Sequence, residues 1–412
     1  MTTSLSIGAG RDLASLAGPH HDRMISFCQR LVQTPSLPGE EGEVAALLKA
    51  EMKSLGYDEV WTDAWGNVVG LVGGQGRGRS VMFNGHLDHV DPGNPDEWPY
   101  PPYGGEIHDG RLWGRGVADM KGPLAAMVYA VGALAQGGPR PSGDIYVAGV
   151  VQEEVGGLGT KKLVQTVTPD VAVVGEATSN QLARGHRGRI ELVVRVRGKS
   201  VHASVPEQGV NPHAVLARFI QRLESLELAH DETFGSSSVA PTIYVTDQQS
   251  SNVIPGEARL HLDWRNLPGE GPDEVLSQLL PVLEGCLAMV KGSQGEVTVH
   301  TRDLRTYTGY TESFPEVFPS YRLAADHPLV LEGQHVLEQA LSRPVEVMIW
   351  RFATDGGHLM QAGVPTIGFG PAEARELHTV GESVSVEMLK EGMLGYLALA
   401  QALGEGDIRG QP

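Results

Sequence analysis

The first half of the chain alternates between short apolar runs and longer stretches with apolar residues at helical spacing. Continuous apolar runs predict strands buried on both faces, as in parallel sheets, at residues 81–83, 145–151 and 171–174. Helical spacing predicts helices at residues 21–33, 41–55 and 123–135, and another after Gly159. Strands that alternate with helices predict an α/β fold with a doubly wound, mostly parallel sheet.

The pattern changes near Arg187, where apolar and polar residues begin to alternate as in half-exposed antiparallel strands. Four segments alternate in this way, at residues 190–196, 240–249, 258–266 and 296–303. Helical patterns separate them at residues 212–226 and 273–290. We therefore expect a smaller α+β domain, with a four-stranded antiparallel sheet and two helices, inserted into the α/β layer.

The α/β pattern returns after the insert and gives the chain its predicted domain organisation. Helices are expected near residues 329–340 and 386–403, with a strand at 365–369 between them. The α/β domain would then consist of residues 1–186 and 304–412, and the inserted domain of residues 187–303.

Composition narrows the class of protein. A net charge of −18 argues against nucleic acid and against an anionic membrane surface as partners. The N-terminal segment lacks the pattern of a signal peptide, and no apolar run approaches the ~20 residues of a membrane span. Cys28 and Cys286 are far apart in sequence and predict buried thiols. We expect a soluble, cytoplasmic protein.

Polar side chains follow each of the predicted buried strands. Ligands bind at the carboxyl ends of the strands in an open α/β sheet. The candidate residues share that position or lie in a neighbouring loop: His86, Asp88, Asp119, Glu153, Glu154, Glu176 and His378. Two imidazoles and several carboxylates suit two zinc ions, or similar divalent ions such as cobalt or manganese.

Spacing indicates roles for some of these residues. Two metal ions ~3.5–4 Å apart need a shared ligand, and Asp119 is the loop carboxylate placed for it. Asp88 follows His86 by two residues and is expected to orient its imidazole. One of the adjacent carboxylates Glu153 and Glu154 can bind metal while the other accepts a proton from water. The residues alone do not decide between these two.

Each residue also has a structural interpretation when it is considered alone. A His-x-Asp sequence after a strand is more often a capped turn, and Asp119 alone would be a turn or helix cap. The Glu153–Glu154 pair alone would usually be solvated surface. Their occurrence together, in order and at predicted strand ends, favours a catalytic site.

Eight motifs together resemble those of one metallohydrolase family. The motifs are GHLDHV, GRGVADMKGPLAAM, QEEVGGLGT, GEAT, GKSVHASVPEQGVNP, SNVIPGEARLHLDWR, ATDGG and ELHTVGE. The family contains acetylornithine deacetylase, succinyl-diaminopimelate desuccinylase, aminoacylase and carboxypeptidase G, and the resemblance extends from about residue 26 to residue 403. Within the family the chain looks most like the bacterial deacetylase and desuccinylase branch. The segments PPYGG, GHRGR and ATDGG also resemble a group linked to selenium metabolism.

The resemblance implies a ligand for each metal position. His86 and Glu176 would hold one metal ion. Glu154 and His378 would hold the other, and Asp119 would bridge the two.

The resemblance also implies a general base and an oxyanion donor. Glu153 would be the base, and Asp88 would support the first imidazole. The inserted domain forms a lid in this family and usually the dimer contact. His202 lies on that insert and would hydrogen-bond the tetrahedral oxyanion, often from the partner subunit.

Four further residues match positions that hold the substrate carboxylate in desuccinylase-like members: Arg187, Asn252, Arg265 and Thr354. Arginine can bind a carboxylate through two parallel hydrogen bonds. Arg265 could equally form an ion pair with Asp263 or cover the sheet.

The implied activity is hydrolysis of the amide bond of an N-acyl amino acid or a related small carboxylate. A dipeptidase or carboxypeptidase using the same metals is the alternative. A non-catalytic binding protein is a third hypothesis, against which the intact Glu153 and ligand set count. A homodimer through the lid domain is also expected.

Overall fold

The computed structural model describes residues 13–405. Its helices are α1 Leu13–Ala17, α2 His21–Val32, α3 Gly42–Ser54, α4 Gly122–Ala135, α5 Leu158–Leu163, α6 Pro212–Leu223, α7 Pro272–Leu287, α8 Pro328–Leu341, α9 Gly356–Gln361 and α10 Val386–Glu405. The strands of the first half are β1 Glu59–Thr62, β2 Val68–Val72, β3 Val81–His86, β4 Glu106–His108, β5 Arg111–Trp113, β6 Ile145–Val150, β7 Val171–Val174, β8 Leu182–His186, β9 Arg189–Arg197 and β10 Val201–His202. The remaining strands are β11 His230–Asp231, β12 Gly235–Ser236, β13 Ser238–Thr246, β14 Val253–Ile254, β15 Glu257–Arg265, β16 Gln294–Val299, β17 Thr301–Arg305, β18 Thr311–Pro315, β19 Val317–Phe318, β20 Tyr321–Arg322, β21 Val347–Trp350, β22 Thr366–Gly368 and β23 Ser383–Ser385.

A nine-stranded mixed sheet forms the main layer, in the order β1-β2-β6-β3-β7-β22-β8-β20, with β21 paired to β8. The central strands β6, β3, β7 and β22 are parallel, and the prediction of an α/β fold is confirmed. The sheet is less parallel than predicted because β2 joins β6, and β8 joins β22, in antiparallel pairs. Hydrophobic periodicity reports burial and carries no direction, so it could not predict these two pairs.

Helix α4 is the centre of the hydrophobic core. Its residues from Gly122 to Leu134 are buried, and it packs against α2, α10 and the main sheet. Segment Val117–Ala135 is long and apolar enough to cross a membrane by length and composition, but it is buried inside the protein. Its apolar character therefore matches its place in the core.

A second, five-stranded antiparallel sheet, here called the lid sheet, has the order β13-β15-β9-β16, with β19 also paired to β9. Helices α6 and α7 pack together, and the inward residues of β9 and β15 share a hydrophobic cluster with them. The four predicted strands and two helices are present. Strand β19 is additional, and its two residues are too short to give a periodic pattern. This cluster is separate from the clusters of the main layer. The bounds of the insert at residues 187–303 remain a prediction.

A hairpin of β17 and β18 connects the lid sheet to the main layer. The hydroxyl of Tyr307, in its turn, donates to the carbonyl of Gly66 at 2.8 Å. Gln152 Nε2 donates to the carbonyl of Arg305, also at 2.8 Å. The hairpin, which follows the lid sheet, therefore contacts the loop after β6 through Gln152.

Candidate metal centre

The carboxyl ends of three central strands lie side by side. His86 ends β3 and pairs in register with Val150 at the end of β6. Asn84 of β3 pairs with Val174, the last residue of β7. The residues that follow β6 and β7 are therefore brought next to His86, as the sequence pattern predicted.

Two groups of possible ligands share Asp119. His86 Nε2 lies 2.9 Å from Asp119 Oδ1 and 3.5 Å from Glu176 Oε1. His378 Nε2 lies 3.0 Å from Asp119 Oδ2 and 3.2 Å from Glu154 Oε1. Each group has three ligand atoms within 4.8 Å of one another. One oxygen of Asp119 thus faces each group.

The donor set fits two small divalent ions. Each group offers one imidazole nitrogen, one terminal carboxylate and one oxygen of the shared carboxylate, which is a combination that zinc accepts. Burial, followed by the charge of Asp119, raises the pKa of Glu154 to about 7. Burial also raises the pKa of Glu176. Cations between these carboxylates would offset the cost of burying their charges.

Glu153 lies beside the two ligand groups. Burial raises the pKa of its carboxyl well above the usual range, and the nearby charge of His86 opposes that shift. Its side chain is 7% exposed, so water has limited access. A carboxyl with a raised pKa can both accept and donate a proton near neutral pH.

Asp88 has a wider role than its spacing suggested. Its Oδ1 accepts a hydrogen bond from the amide of Glu153 at 3.1 Å, and its Oδ2 from the amide of Glu154 at 3.0 Å. His86 Nδ1 lies 3.0 Å from the backbone carbonyl oxygen of Asp88 and 3.7 Å from Oδ1. The carboxylate of Asp88 therefore positions the two glutamates, and its carbonyl is the nearer partner of the imidazole.

Glu41 was missed by the sequence analysis. It precedes α3, and its Oε1 accepts hydrogen bonds from the amides of Gly39 and Gln152 at 2.9 and 3.2 Å. Burial, followed by the charge of Asp88, raises the pKa of Glu41 to about 8. A glutamate before a helix resembles a surface residue, so the local sequence gave no signal for this buried position.

Glu382 holds the turn that carries Asp119. Its carboxylate accepts hydrogen bonds from the amides of Gly116, Ala118 and Asp119 at 3.1, 2.9 and 3.2 Å. Arg115 Nη1 donates to it at 2.6 Å. Burial raises the pKa of Glu382 to about 7, against the opposing charge of Arg115. Glu382 lies in the ELHTVGE motif, but no role was predicted for it.

Arg187 contacts the backbone of Arg265, and Thr354 contacts the residue before Arg187. Arg187 Nη2 donates to the carbonyl of Arg265 at 3.0 Å, and Arg187 Nε is buried without a hydrogen-bond partner among the described residues. Arg265 Nε donates to Asp263 Oδ1 at 2.7 Å, which is the ion pair considered as its alternative role. The amide of Thr354 donates to Nε2 of His186, the residue before Arg187.

His202 and Asn252 lie together on another part of the lid. His202 pairs with Val253 across β10 and β14, and the amide of Ala203 donates to the carbonyl of Asn252 at 2.8 Å. Both residues are exposed. The imidazole of His202 bonds to Ser204 at 2.7 Å. Within one chain the two ligand groups and His202 are therefore parts of separate hydrogen-bond networks.

Dinuclear metallohydrolases have one carboxylate shared between two groups of metal ligands. Here this arrangement lies at the carboxyl ends of the strands of an α/β sheet. The chain matches the model of peptidase family M20/M25/M40 over residues 82–402, and it belongs to that family. The family resemblance inferred from the motifs is thus confirmed. The protein is a metal-dependent hydrolase of amide bonds.

Two curated relatives and one solved structure illustrate the range of the family. The chain is 30% identical over 365 residues to "Uncharacterized protein YgeY" of Escherichia coli (strain K12), covering 87% of this chain and 89% of that protein. It is 35% identical over 255 residues to a succinyl-diaminopimelate desuccinylase of Cereibacter sphaeroides, covering 58% of this chain and 67% of the relative. The fold matches Bacillus subtilis YxeP, described as a dinuclear metal binding peptidase, with a TM-score of 0.70 and 16% identity over 93% of this chain and 98% of that one.

Proposed function

We propose that the protein is a deacylase that hydrolyses the amide bond of an N-acyl amino acid or a related small carboxylate. The observation that carries the proposal is the pair of ligand groups that share Asp119, with the buried Glu153 beside them. The desuccinylase relative supports the choice of an acyl amino acid over a peptide.

Five residues would hold two divalent ions, for which we propose zinc. His86 and Glu176 would bind one ion, Glu154 and His378 the other, and Asp119 both. When bound, such ions act as Lewis acids that polarise the amide carbonyl and lower the pKa of water.

Glu153 is the proposed general base. It would accept a proton from the attacking water and then deliver a proton to the leaving amine. The two hydrogen bonds that the amides of Glu153 and Glu154 donate to Asp88 fix the strand end from which both side chains project. Asp88 thus supports the reaction through the backbone of the base.

The proposed substrate carboxylate would bind at the arginine pair. Arg187 offers a buried Nε without a hydrogen-bond partner among the described residues, and Arg265 lies beside it. A guanidinium can bind a carboxylate through two parallel hydrogen bonds. We propose the same role for Thr354 and for Asn252, which lies next to His202 on the lid.

A homodimer through the lid domain would complete the site. Strand β13 is at the edge of the lid sheet and exposes three large apolar side chains, Ile243, Tyr244 and Val245. An exposed edge strand of this kind is a template for pairing with a second chain. His202 of the partner subunit would then donate a hydrogen bond to the oxyanion.

A dipeptidase or carboxypeptidase is the second candidate function. A peptide bond is also an amide, so the same metal centre would be able to hydrolyse it. The arginine pair would then bind the terminal carboxylate of the peptide. YxeP, whose fold is similar to that of this chain, is named as a peptidase. The two candidates therefore differ in the substrate group on the carbonyl side of the cleaved amide, which is a simple acyl group in the first and an amino acid or peptide in the second.

Assays of the zinc-loaded protein distinguish the candidates. N-acetyl amino acids, N-succinyl amino acids and dipeptides are offered separately, with chelator-treated protein as the control. We expect release of free amino acid from an acylated substrate and none after metal removal. Turnover of dipeptides alone would establish the second candidate, and cleavage of neither class by metal-loaded, folded protein would reject both.

A further inference from the structure

Four side chains that could bind a metal ion meet at the base of the β17–β18 hairpin. They are Glu191, His261, His300 and Glu316, here called the lid cluster. His261 Nδ1 lies 2.9 Å from Glu191 Oε1, and His300 Nε2 lies 3.9 Å from the same oxygen. The two imidazole rings are 5.1 Å apart. The cluster shares no residue with the site around Asp119.

The fold of the lid sheet dictates this arrangement. Glu191 of β9 pairs with Asp263 of β15, and the next residue on the same face of β15 is His261. Glu191 and His261 are therefore diagonal neighbours on the face opposite the packed helices. The backbone fixes the other two members, because the amide of His300 donates to the carbonyl of Glu191 and the amide of Glu191 to the carbonyl of Glu316. The amide of Glu316 donates in turn to the carbonyl of His300.

We propose that the lid cluster binds a divalent transition-metal ion, most simply zinc. The ligand atoms are Glu191 Oε1, His261 Nδ1 and His300 Nε2, which lie within 4.8 Å of one another. Glu316 is not part of that group of three, but its carboxyl lies beside that of Glu191 and would be the fourth ligand. Two imidazoles with carboxylate oxygens form a set that suits zinc and disfavours calcium or magnesium.

Each carboxylate of the lid cluster forms an ion pair with an arginine through one oxygen and leaves its other oxygen available to a metal ion. Glu316 is 4% exposed, and neither oxygen of its carboxylate meets hydrogen-bond geometry in the described part of the chain. Its ion-pair partner is Arg302, on the following hairpin strand. Arg189 binds Oε2 of Glu191 at 3.2 Å, which leaves Oε1 directed to the imidazoles.

A metal ion at this point would join the hairpin to the lid sheet. His300 immediately precedes β17 and Glu316 immediately follows β18, whereas Glu191 and His261 belong to the sheet itself. The tip of the same hairpin contacts the main layer through Tyr307. The ion would therefore stiffen the connection between the two sheets. This inference goes beyond the proposed function and does not rest on it.

Metal content provides the test. The double variant His86→Ala, His378→Ala removes one imidazole from each group around Asp119, and it is dialysed against zinc and then against metal-free buffer. We expect it to retain about one zinc ion per chain, measured by mass spectrometry of the metal. Adding His300→Ala or His261→Ala should abolish the retained zinc. Adding His335→Ala should not, because His335 is an exposed residue of α8 outside the cluster.

A stability measurement accompanies the metal content. Zinc should raise the Tm of the double variant and of its His335→Ala derivative, but should leave that of the His300→Ala derivative unchanged. His261→Gln serves as a second variant if His261→Ala fails to fold, because it keeps a polar group beside Glu191. Retention of zinc by folded His261→Gln and His300→Ala derivatives would overturn the proposal. Absence of zinc from the folded double variant would overturn it equally.

Discussion

The carboxylate of Asp88 binds the backbone amide of Glu153 at 3.1 Å. Its second oxygen binds the next amide, that of Glu154. The proposed base and the proposed metal ligand are thus positioned by one buried side chain. Since Asp88 also lies two residues after His86, it links the ends of β3 and β6.

Asp88→Asn is expected to lower both metal affinity and turnover. The amide nitrogen of asparagine cannot accept a hydrogen bond, so one of the two glutamate amides would lose its partner. Groups that support metal ligands typically contribute about 10–100-fold in affinity or activity. Zinc titration and kcat are measured against Asp91→Asn, which alters an exposed aspartate nearby. Equal values in the two variants would contradict the role of Asp88.

Glu153→Gln should reduce kcat by about 10²–10⁴-fold, because glutamine cannot carry the proton from water to the leaving amine. The number of bound metal ions should stay the same, since Glu153 lies outside both ligand groups. Metal analysis and steady-state kinetics on one preparation test this. Near-normal turnover would remove Glu153 from the mechanism, and loss of one ion would make it a ligand.

Glu382→Gln should destabilise the fold by at least about 3 kcal/mol, because it leaves the buried guanidinium of Arg115 without its counter-charge. The side chains of Glu382 and Arg115 are 0% and 3% exposed. Urea unfolding at about pH 8, above the pKa of Glu382, measures the free energy of unfolding. Glu387→Gln is the matched control, since its ion pair with Lys390 is on the surface and should contribute less than about 1 kcal/mol. A similar small effect in both variants would show that the buried pair is dispensable.

Glu41 should make stability fall as pH rises. Its folded-state pKa of about 8 lies above the usual value of 4.5, so between these values the folded state holds a proton that the unfolded state has released. Unfolding therefore becomes easier with increasing pH in this window, by at most about 1.4 kcal/mol per pH unit. Urea unfolding of metal-free protein at several pH values measures the slope. Glu41→Gln should reduce this slope without abolishing it, because Glu154 and Glu382, with pKa values of about 7, contribute in the same window. An unchanged slope would show that Glu41 does not titrate there.

The sequence was sufficient to predict that the candidate ligands meet, because parallel strands place their carboxyl ends together. Polar residues after three apolar runs therefore had to meet at one edge of the sheet. Glu41 and Glu382 could not be predicted in this way. Glu41 binds Gln152, 111 residues away, and Glu382 binds Ala118, 264 residues away. No local pattern records such a contact.

The antiparallel edges of the main sheet and strand β19 escaped prediction for different reasons. Strand direction is set by how the chain returns to the sheet, which side-chain alternation does not encode. Strand β19 exists because the hairpin delivers Val317 beside Ile190. The role of His202 as an oxyanion donor was inferred from a motif. Within one chain His202 lies apart from the two ligand groups, so that role requires a second subunit.

Two buried carboxylates secure three successive backbone amides at the end of β6: Glu41 holds Gln152, and Asp88 holds Glu153 and Glu154. These bonds join protein groups to one another, so we expect the strand end to keep its shape whether or not an ion is bound. Capture of an ion then requires little loss of backbone freedom at this point. Chelated protein should accordingly recover its ions rapidly and without refolding.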